Sequence, residues 1–399
     1  MGEQVKTLRG MTWNHDRGLK PMLATAAWFE QQNPGVRISW EARSLQEFAD
    51  FPVDELAKRY DLIVLDHPHM GTAARDGCLV PLNKHIHPST RAALQQESVG
   101  KSYQSYLFDN ELWALPIDAA AQVAAYRSDL LERLQYPVPR TWDDVVALAR
   151  VRPGTVCVPL MPTDALMAFF TLCANSGEEP FSASPRIVVT NKTGLAALKM
   201  LRQLASYSIP ESLSWNPVQM WEWMASTDIT AYCPLGFGYS SYARSGYRPN
   251  ILTFTNIPAG HDGLPSGSIL GGTGLGISSM SQQIDLAIEY AVWVSQAACQ
   301  STIYFSGGGQ PANRVAWTSD FVNGESNEFF RGTIRTLDHA YLRPNWTGFI
   351  DFQNAAFGCM KLFLSNQADS DATLSALNHL AANYRSSFLE NQGDIVQQA

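Results

Sequence analysis

Two strand–helix–strand units in immediate succession open this chain, and few folds can begin that way. Thr7-Leu8-Arg9-Gly10-Met11-Thr12-Trp13 reads as a short strand. Leu19, Met22, Leu23, Ala26 and Ala27 then recur at helical spacing up to Glu30, with Pro21 expected in the first turn, where a missing N–H is tolerated. Asn33-Pro34-Gly35 stops that helix, and Val36-Arg37-Ile38-Ser39-Trp40 is a second strand by its β-branched and aromatic content. A helix over residues 45–60 leads to Leu62-Ile63-Val64-Leu65, a buried strand ending at Asp66. Parallel neighbours need helical crossovers, so this opening predicts an α/β fold whose mostly parallel sheet is covered by helices on both faces.

At 399 residues the chain is too long for one ordinary core, and two domains are expected. Glu111-Leu112-Trp113-Ala114-Leu115-Pro116-Ile117-Asp118 reads as a strand interrupted by proline and as a crossover into the second domain. Beyond it, helices are expected over residues 126–134, 142–149, 164–174, 192–206 and 216–225, with Thr141 as an N-cap. Strands are expected at 156–160 and 229–233. The glycine-rich segment 271–278 leads into a helix over 282–296, and the chain from 327 onward is mostly helical.

In such sheets ligands bind beyond the carboxyl ends of the strands. Those ends here are Trp13-Asn14-His15-Asp16-Arg17, Glu41-Ala42-Arg43 and Asp66-His67-Pro68-His69, all rich in polar and aromatic residues. Trp13 and His15 can stack on or hydrogen-bond a sugar ring, and Arg17 offers a planar fork to hydroxyls or an acid group. The competing reading is a helix-capping loop with Asn14 or Asp16 as the cap. Glu41 and Arg43 read equally well as an ion pair or as ligand contacts. The Asp66 carboxylate can accept from two hydroxyls, with His67 beside it, and Asp118 stands at the crossover. Tyr239 follows a strand of the second domain, Gly272 and Thr273 offer backbone N–H groups, and Arg343 and Trp346 flank Pro344-Asn345. The 11 Trp and 14 Tyr suit a ligand that is half hydroxyl and half C–H.

Other classes fall away. A net charge of −8 repels phosphate backbones, so no nucleic-acid partner is expected. The 6 Cys include no Cys-x-x-Cys pair, and His67, His69, His85 and His87 form two His-x-His pairs without a carboxylate set, so no metal is expected. Neither G-x-G-x-x-G nor a P-loop lysine is present, and no cofactor follows. Without a G-x-S-x-G or H-E-x-x-H motif the chain reads as a non-enzyme. The alternative is a glycoside-processing enzyme using Asp66 and Asp118 as its two carboxylates.

Five segments, taken in order, resemble the family 1 extracellular solute-binding proteins of ABC importers. Phe29-Glu30-Gln31-Gln32-Asn33-Pro34-Gly35-Val36-Arg37-Ile38 resembles that family's first helix-to-strand junction, and Asp61-Leu62-Ile63-Val64-Leu65-Asp66 its third strand. Asp109-Asn110-Glu111-Leu112-Trp113-Ala114-Leu115-Pro116 is similar to a strand of that family ending in Ala-Leu-Pro, and Gly271-Gly272-Thr273-Gly274-Leu275-Gly276-Ile277 to its return into the first lobe. Gly309-Gln310-Pro311-Ala312 resembles the segment near the third crossover, while Asp66-His67-Pro68-His69 departs from the usual pattern. The resemblance implies a periplasmic-binding-protein fold of two lobes, 1–116 plus 271–311 and 117–270 plus 312–399, with the ligand cleft between them. It implies a monomer that captures a carbohydrate or polyol and hands it to the membrane permease subunits of an ABC importer by hinge closure. The Arg and His candidates leave an acidic or modified sugar open. Residues 1–6 carry no apolar signal core, so the expectation is a periplasmic protein whose signal peptide has been removed, with a cytoplasmic one as the alternative.

Overall fold

The computed structural model describes residues 5–44 and 52–397. The chain separates into two compact units, one of residues 1–120, 271–324 and 344–347, the other of residues 121–270, 325–343 and 348–399. In chain order the elements that matter for the site are β1 (Lys6–Trp13), α1 (Asp16–Gln32), β2 (Val36–Arg43), α2 (Val53–Ala57), β3 (Leu62–Leu65), β4 (Leu115–Tyr126), β5 (Tyr232–Phe237), β6 (Thr253–Thr255) and β7 (Leu270–Ile277).

The first unit is built on the predicted opening. β1 pairs in parallel with β2 from Lys6–Val36 to Trp13–Arg43, and with β3 through Gly10–Leu62 and Met11–Ile63. β7 then runs antiparallel to β3, with Leu65 opposite Gly274, and the start of β4 lies next to β7. Leu8, Met11, Leu62, Ile63, Leu275 and Ile277 fill the core with Tyr290. Burial on both faces explains why β3 is an unbroken apolar run. α1 begins at Asp16, so Pro21 is the sixth helical residue rather than part of the first turn, and it cannot donate to the Arg17 carbonyl. Gly18 lets that helix approach the sheet, since a Cβ there would come within 2.4 Å of the Trp13 ring. Of the helix expected over 45–60, only α2 lies among the described residues; 45–51 fall outside them.

The second unit keeps the α/β character but departs from a parallel sheet in detail. Its regular ladders are antiparallel, β4 with β5 and β4 with β6. Parallel pairing is reduced to isolated bridges such as Val156–Tyr232 and Ile269–Tyr341. Pro159 removes a ladder donor from the segment expected to be a strand at 156–160, which leaves a single bridge there. β4 also runs on to Tyr126, where a helix was expected; the helix begins at Ser128. The run of alanines in β4 favours helix locally, and pairing with β5 and β6 overrides that preference. Thr141 does cap the helix Trp142–Ala149, in a capping box with Asp144. All 6 cysteines are free thiols. No helix among the described residues is long and apolar enough to cross a membrane.

Candidate functional site

The strand-end residues of the first unit divide into those committed to the protein and those that keep some access to solvent. Arg17 Nε donates to Asp118 Oδ2 at 2.8 Å and its Nη2 donates to Asp118 Oδ1, with the side chains 5% and 0% exposed. Burial pushes the Asp118 carboxyl up, the Arg17 guanidinium pulls it back, and Asp66 adds a smaller push upward. A carboxylate at this depth needs such a bidentate counter-charge. The backbone continues the joint: Ala119 N–H donates to Gln310 O at 3.2 Å, and Gln310 Nε2 donates to Ala119 O at 2.8 Å. Gly272, at φ 105°, completes it, because a Cβ there would lie 2.3 Å from the Asp118 carbonyl oxygen. Arg17, Asp118 and Gly272 are thus brought together, as one buried joint rather than as an open ligand wall.

Trp13 is 4% exposed and packs beneath Gly18, which places it in the core and not on a stacking surface. His15 is itself the N-cap of α1, its Nδ1 accepting from Arg17 N–H at 3.0 Å; neither Asn14 nor Asp16 takes that role. Glu41 accepts from Arg9 at 3.2 Å and from the Tyr60 hydroxyl at 2.7 Å, and Tyr60 and Arg9 hold its carboxyl below the usual range. Arg43 lies over the same Tyr60 ring, 5.9 Å from its centre. They group in a surface cluster around Tyr60, in which the Arg43 charge also helps to lower the Glu41 carboxyl.

Asp66 differs. It caps the short turn His67–His69, its Oδ1 accepting from His67 N–H at 2.8 Å and lying 3.1 Å from His67 Nδ1, yet its side chain is 29% exposed. His67 is buried, edge-on to Tyr106, whose hydroxyl donates to Gly272 O at 3.4 Å and lies 3.5 Å from Leu65 O. Thr273, also buried, has an Oγ1 with no hydrogen-bond partner among the described residues. Gly71 N–H donates to Asn345 O at 2.9 Å and the Thr347 hydroxyl donates to Gly71 O at 2.9 Å. The segment Pro344–Thr347 therefore belongs to the first unit and sets half-buried Trp346 beside the turn that follows Asp66. Nothing in the local sequence signals that juxtaposition or the role of Tyr106, because both depend on contacts far apart in the chain.

In the second unit Tyr239 follows β5 and is 7% exposed. Tyr242 is buried and donates to Glu222 Oε1 at 2.7 Å, so it packs rather than presents a face. Arg343 is buried, with Nη1 donating to Gln353 Oε1 at 3.1 Å. Asp164 went unremarked in the sequence, where it reads as a helix start. It lies in the first turn of the helix Pro162–Asn175, and burial pushes its carboxyl up to about 7, against the 3.3 Å hydrogen bond from the Thr163 hydroxyl.

Among the described residues no group of three or more His, Cys, Asp and Glu is arranged to hold a metal ion. The first unit also carries a concavity of about 320 Å³ between His85–Thr90 and the helix Ile284–Ser295, lined by His87, Glu289 and Trp293 among others. It contains none of the strand-end residues. The topological rule for α/β sheets favours the strand ends over this groove as the ligand site.

Two α/β units between which the chain passes repeatedly, with polar turns at the strand ends of the first, define a protein built to bind a solute. The chain belongs to the bacterial extracellular solute-binding protein family, whose model matches residues 12–300. A relative from Pyrococcus horikoshii, an uncharacterized ABC transporter extracellular-binding protein, is 27% identical over 124 residues, which is 30% of this chain and 28% of that protein. Solved structures share the fold across the chain. A solute-binding protein from Agrobacterium radiobacter K84 in complex with ribitol superposes with TM-score 0.80 at 18% identity, covering 96% of this chain and all of its own (100%). One from Thermotoga lettingae bound with α-D-tagatose gives TM-score 0.81 at 17% identity, covering 95% and 99%. Maltose-bound MalE3 of T. maritima gives 0.80 at 17% identity, covering 95% and 99%.

Substitutions at Arg17, Asp118 and Asp164 test the buried groups. Arg17→Met or Asp118→Leu alone is expected to cost about 3–5 kcal/mol, because each strands an unpaired charge, whereas the double variant costs far less than the sum. Additive costs in denaturant unfolding would contradict this joint. Asp164, raised in the folded state, binds its proton more tightly than in the unfolded chain, so stability falls as pH climbs from about 4 toward 7. The stability gained by Asp164→Asn should accordingly grow over that window and level off above it; a pH-independent difference would refute the assignment.

Proposed function

We propose that this protein captures a carbohydrate or polyol for an ABC importer, closing its two lobes around the ligand and presenting the closed form to membrane permease subunits. Binding energy in this scheme shifts an open–closed equilibrium and drives no chemistry. The observation that carries the reading is Asp66: a carboxylate at the end of β3, oriented by the His67 backbone N–H, with solvent access that Arg17 and Asp118 almost wholly lack. Such a group accepts from paired hydroxyls, and the half-buried Trp346 nearby offers an apolar face to ring C–H groups. The sugar and polyol complexes of the structural neighbours support the same ligand class. Membership of an extracellular family supports a periplasmic location, and we read the protein as acting as a monomer.

The glycosidase alternative requires Asp118 to act as a second carboxylate on substrate. Asp118 is instead fully buried against Arg17, which disfavours that role. We further propose that Tyr239, Thr273 and Arg343 complete the ligand set, each from its own element.

A thermal-shift panel of ribitol, tagatose, maltose and related sugars tests the proposal, because a ligand that binds only the folded state raises Tm. At least one of them should raise it, and Asp66→Ala should abolish the shift while leaving the unliganded Tm within a few degrees. Trp13→Ala, by contrast, should lower the unliganded Tm strongly, since removing a buried Trp costs about 3–5 kcal/mol. No shift from any sugar, or an undiminished shift in Asp66→Ala, would sink the reading.

A further inference from the structure

The groove between His85–Thr90 and the helix Ile284–Ser295 lies apart from the strand ends and has a pattern of its own. The helix contributes Glu289, Val292 and Trp293, with Gln296 just past its end, positions three and four apart that share one face. Buried Ile86 and Ile288 add apolar surface. Trp293 is held in place by its neighbours. Trp28 stacks on it with ring centres 4.6 Å apart and planes 6° apart, and the Phe29 ring centre lies 5.5 Å away. The aromatic wall is thus oriented before anything binds, which spares a ligand that ordering cost. At about 320 Å³ the groove falls at the lower end of small-ligand sites, roughly 300–1,000 Å³.

Its polar side chains are uncommitted. Among the described residues those of His85, Thr90, Glu289 and Gln296 make no hydrogen bond or ion pair, while His87 uses Nδ1 to bond Ser89 Oγ at 2.7 Å. With histidine counted neutral, Glu289 carries the formal charge of the lining. The sequence has no Lys or Arg from residue 249 to 313, and Asp285 stands one turn before Glu289 on the same helix. On the opposite wall Arg91 directs Nε to Ile86 O at 3.3 Å, outside the lining. The two helix ends at the groove cancel: the start of Pro88–Gln96 brings about half a positive charge, and the end of Ile284–Ser295 about half a negative one. Glu289 therefore sets the sign of the groove.

We infer that this groove is a second binding site, for an organic cation with a short apolar stem and in particular a guanidinium. Glu289 pairs with the cation, Ile86 and Val292 cover the stem, and the electron-rich indole of Trp293 stands one helical turn from the carboxylate. A guanidinium is planar and weakly hydrated, so it gives up less on leaving water than an ammonium and packs well against an aromatic ring. Thr90 and Gln296 offer oxygens to its remaining N–H donors. Carbohydrate capture around Asp66 neither requires this site nor competes with it.

Two probes of nearly equal shape, n-butylguanidinium and neutral n-butylurea, test it when titrated into the protein at about pH 8, where a free imidazole is neutral. The readout is the NMR signal of the Trp293 indole N–H together with the ring signals of His85 and His87. The guanidinium should move these signals saturably at millimolar concentration, and the urea should not. Glu289→Gln, a change at an exposed position, should weaken the guanidinium about fivefold, the scale of one partly exposed ion pair, with Tm unchanged. No saturable movement with the guanidinium, equal binding of the urea, or full affinity in a folded Glu289→Gln each overturns the assignment, and each leaves the carbohydrate reading as it stands.

Discussion

A guanidinium and a carboxylate, both closed off from water, hold the start of α1 against the start of β4. Taking two charges out of solvent costs several kcal/mol each, and only near-ideal geometry repays it. The geometry here is bidentate, and the backbone around it is drawn in: Gln310 is bonded to Ala119 both ways, and Gly272 is the one residue type that fits against the Asp118 carbonyl. Three segments remote in sequence meet at this point. The loop 13–17, the strand that leaves the first unit and the strand that returns to it are thereby fixed in relation to one another. A hydrophobic contact would supply stability but not this directional register.

That joint also decides what the site can be. Once Arg17 and Asp118 are committed to each other, Asp66 is the remaining strand-end acid of the group, and its own turn is rigidly capped. The same commitment sets Asp118 apart from Asp66, with which it was paired in the sequence reading. Family membership places the chain among solute-binding proteins.

Much of the first unit was legible in the sequence because its signals are local. Leu62-Ile63-Val64-Leu65 is a continuous apolar run, and β3 occupies those four positions; Asn33-Pro34-Gly35 ends α1 within a residue of the expected place. The site was legible only as a list of residue types at strand ends. Sequence cannot tell whether Arg17 reaches a ligand or a carboxylate 101 positions away, and it reaches the carboxylate. It cannot show that Trp13 turns under Gly18, nor that Pro344–Thr347 folds back beside Gly71. The course of β4 past Asp118 left no sequence signal, since its alanines carry a helical preference that only long-range pairing reverses. The buried Asp164 left no mark at all, since a polar residue in a first helical turn is ordinary until its surroundings are known.

The central claim is that ligand binds at the strand ends of the first unit, around Asp66. Hydrogen–deuterium exchange, with and without a saturating amount of whichever sugar gives the largest thermal shift, tests it most directly. The account predicts slowed exchange at backbone amides of residues 66–71 and 272–274. Protection confined to residues 85–90 and 288–296, around the separate groove, with none near Asp66, would contradict it.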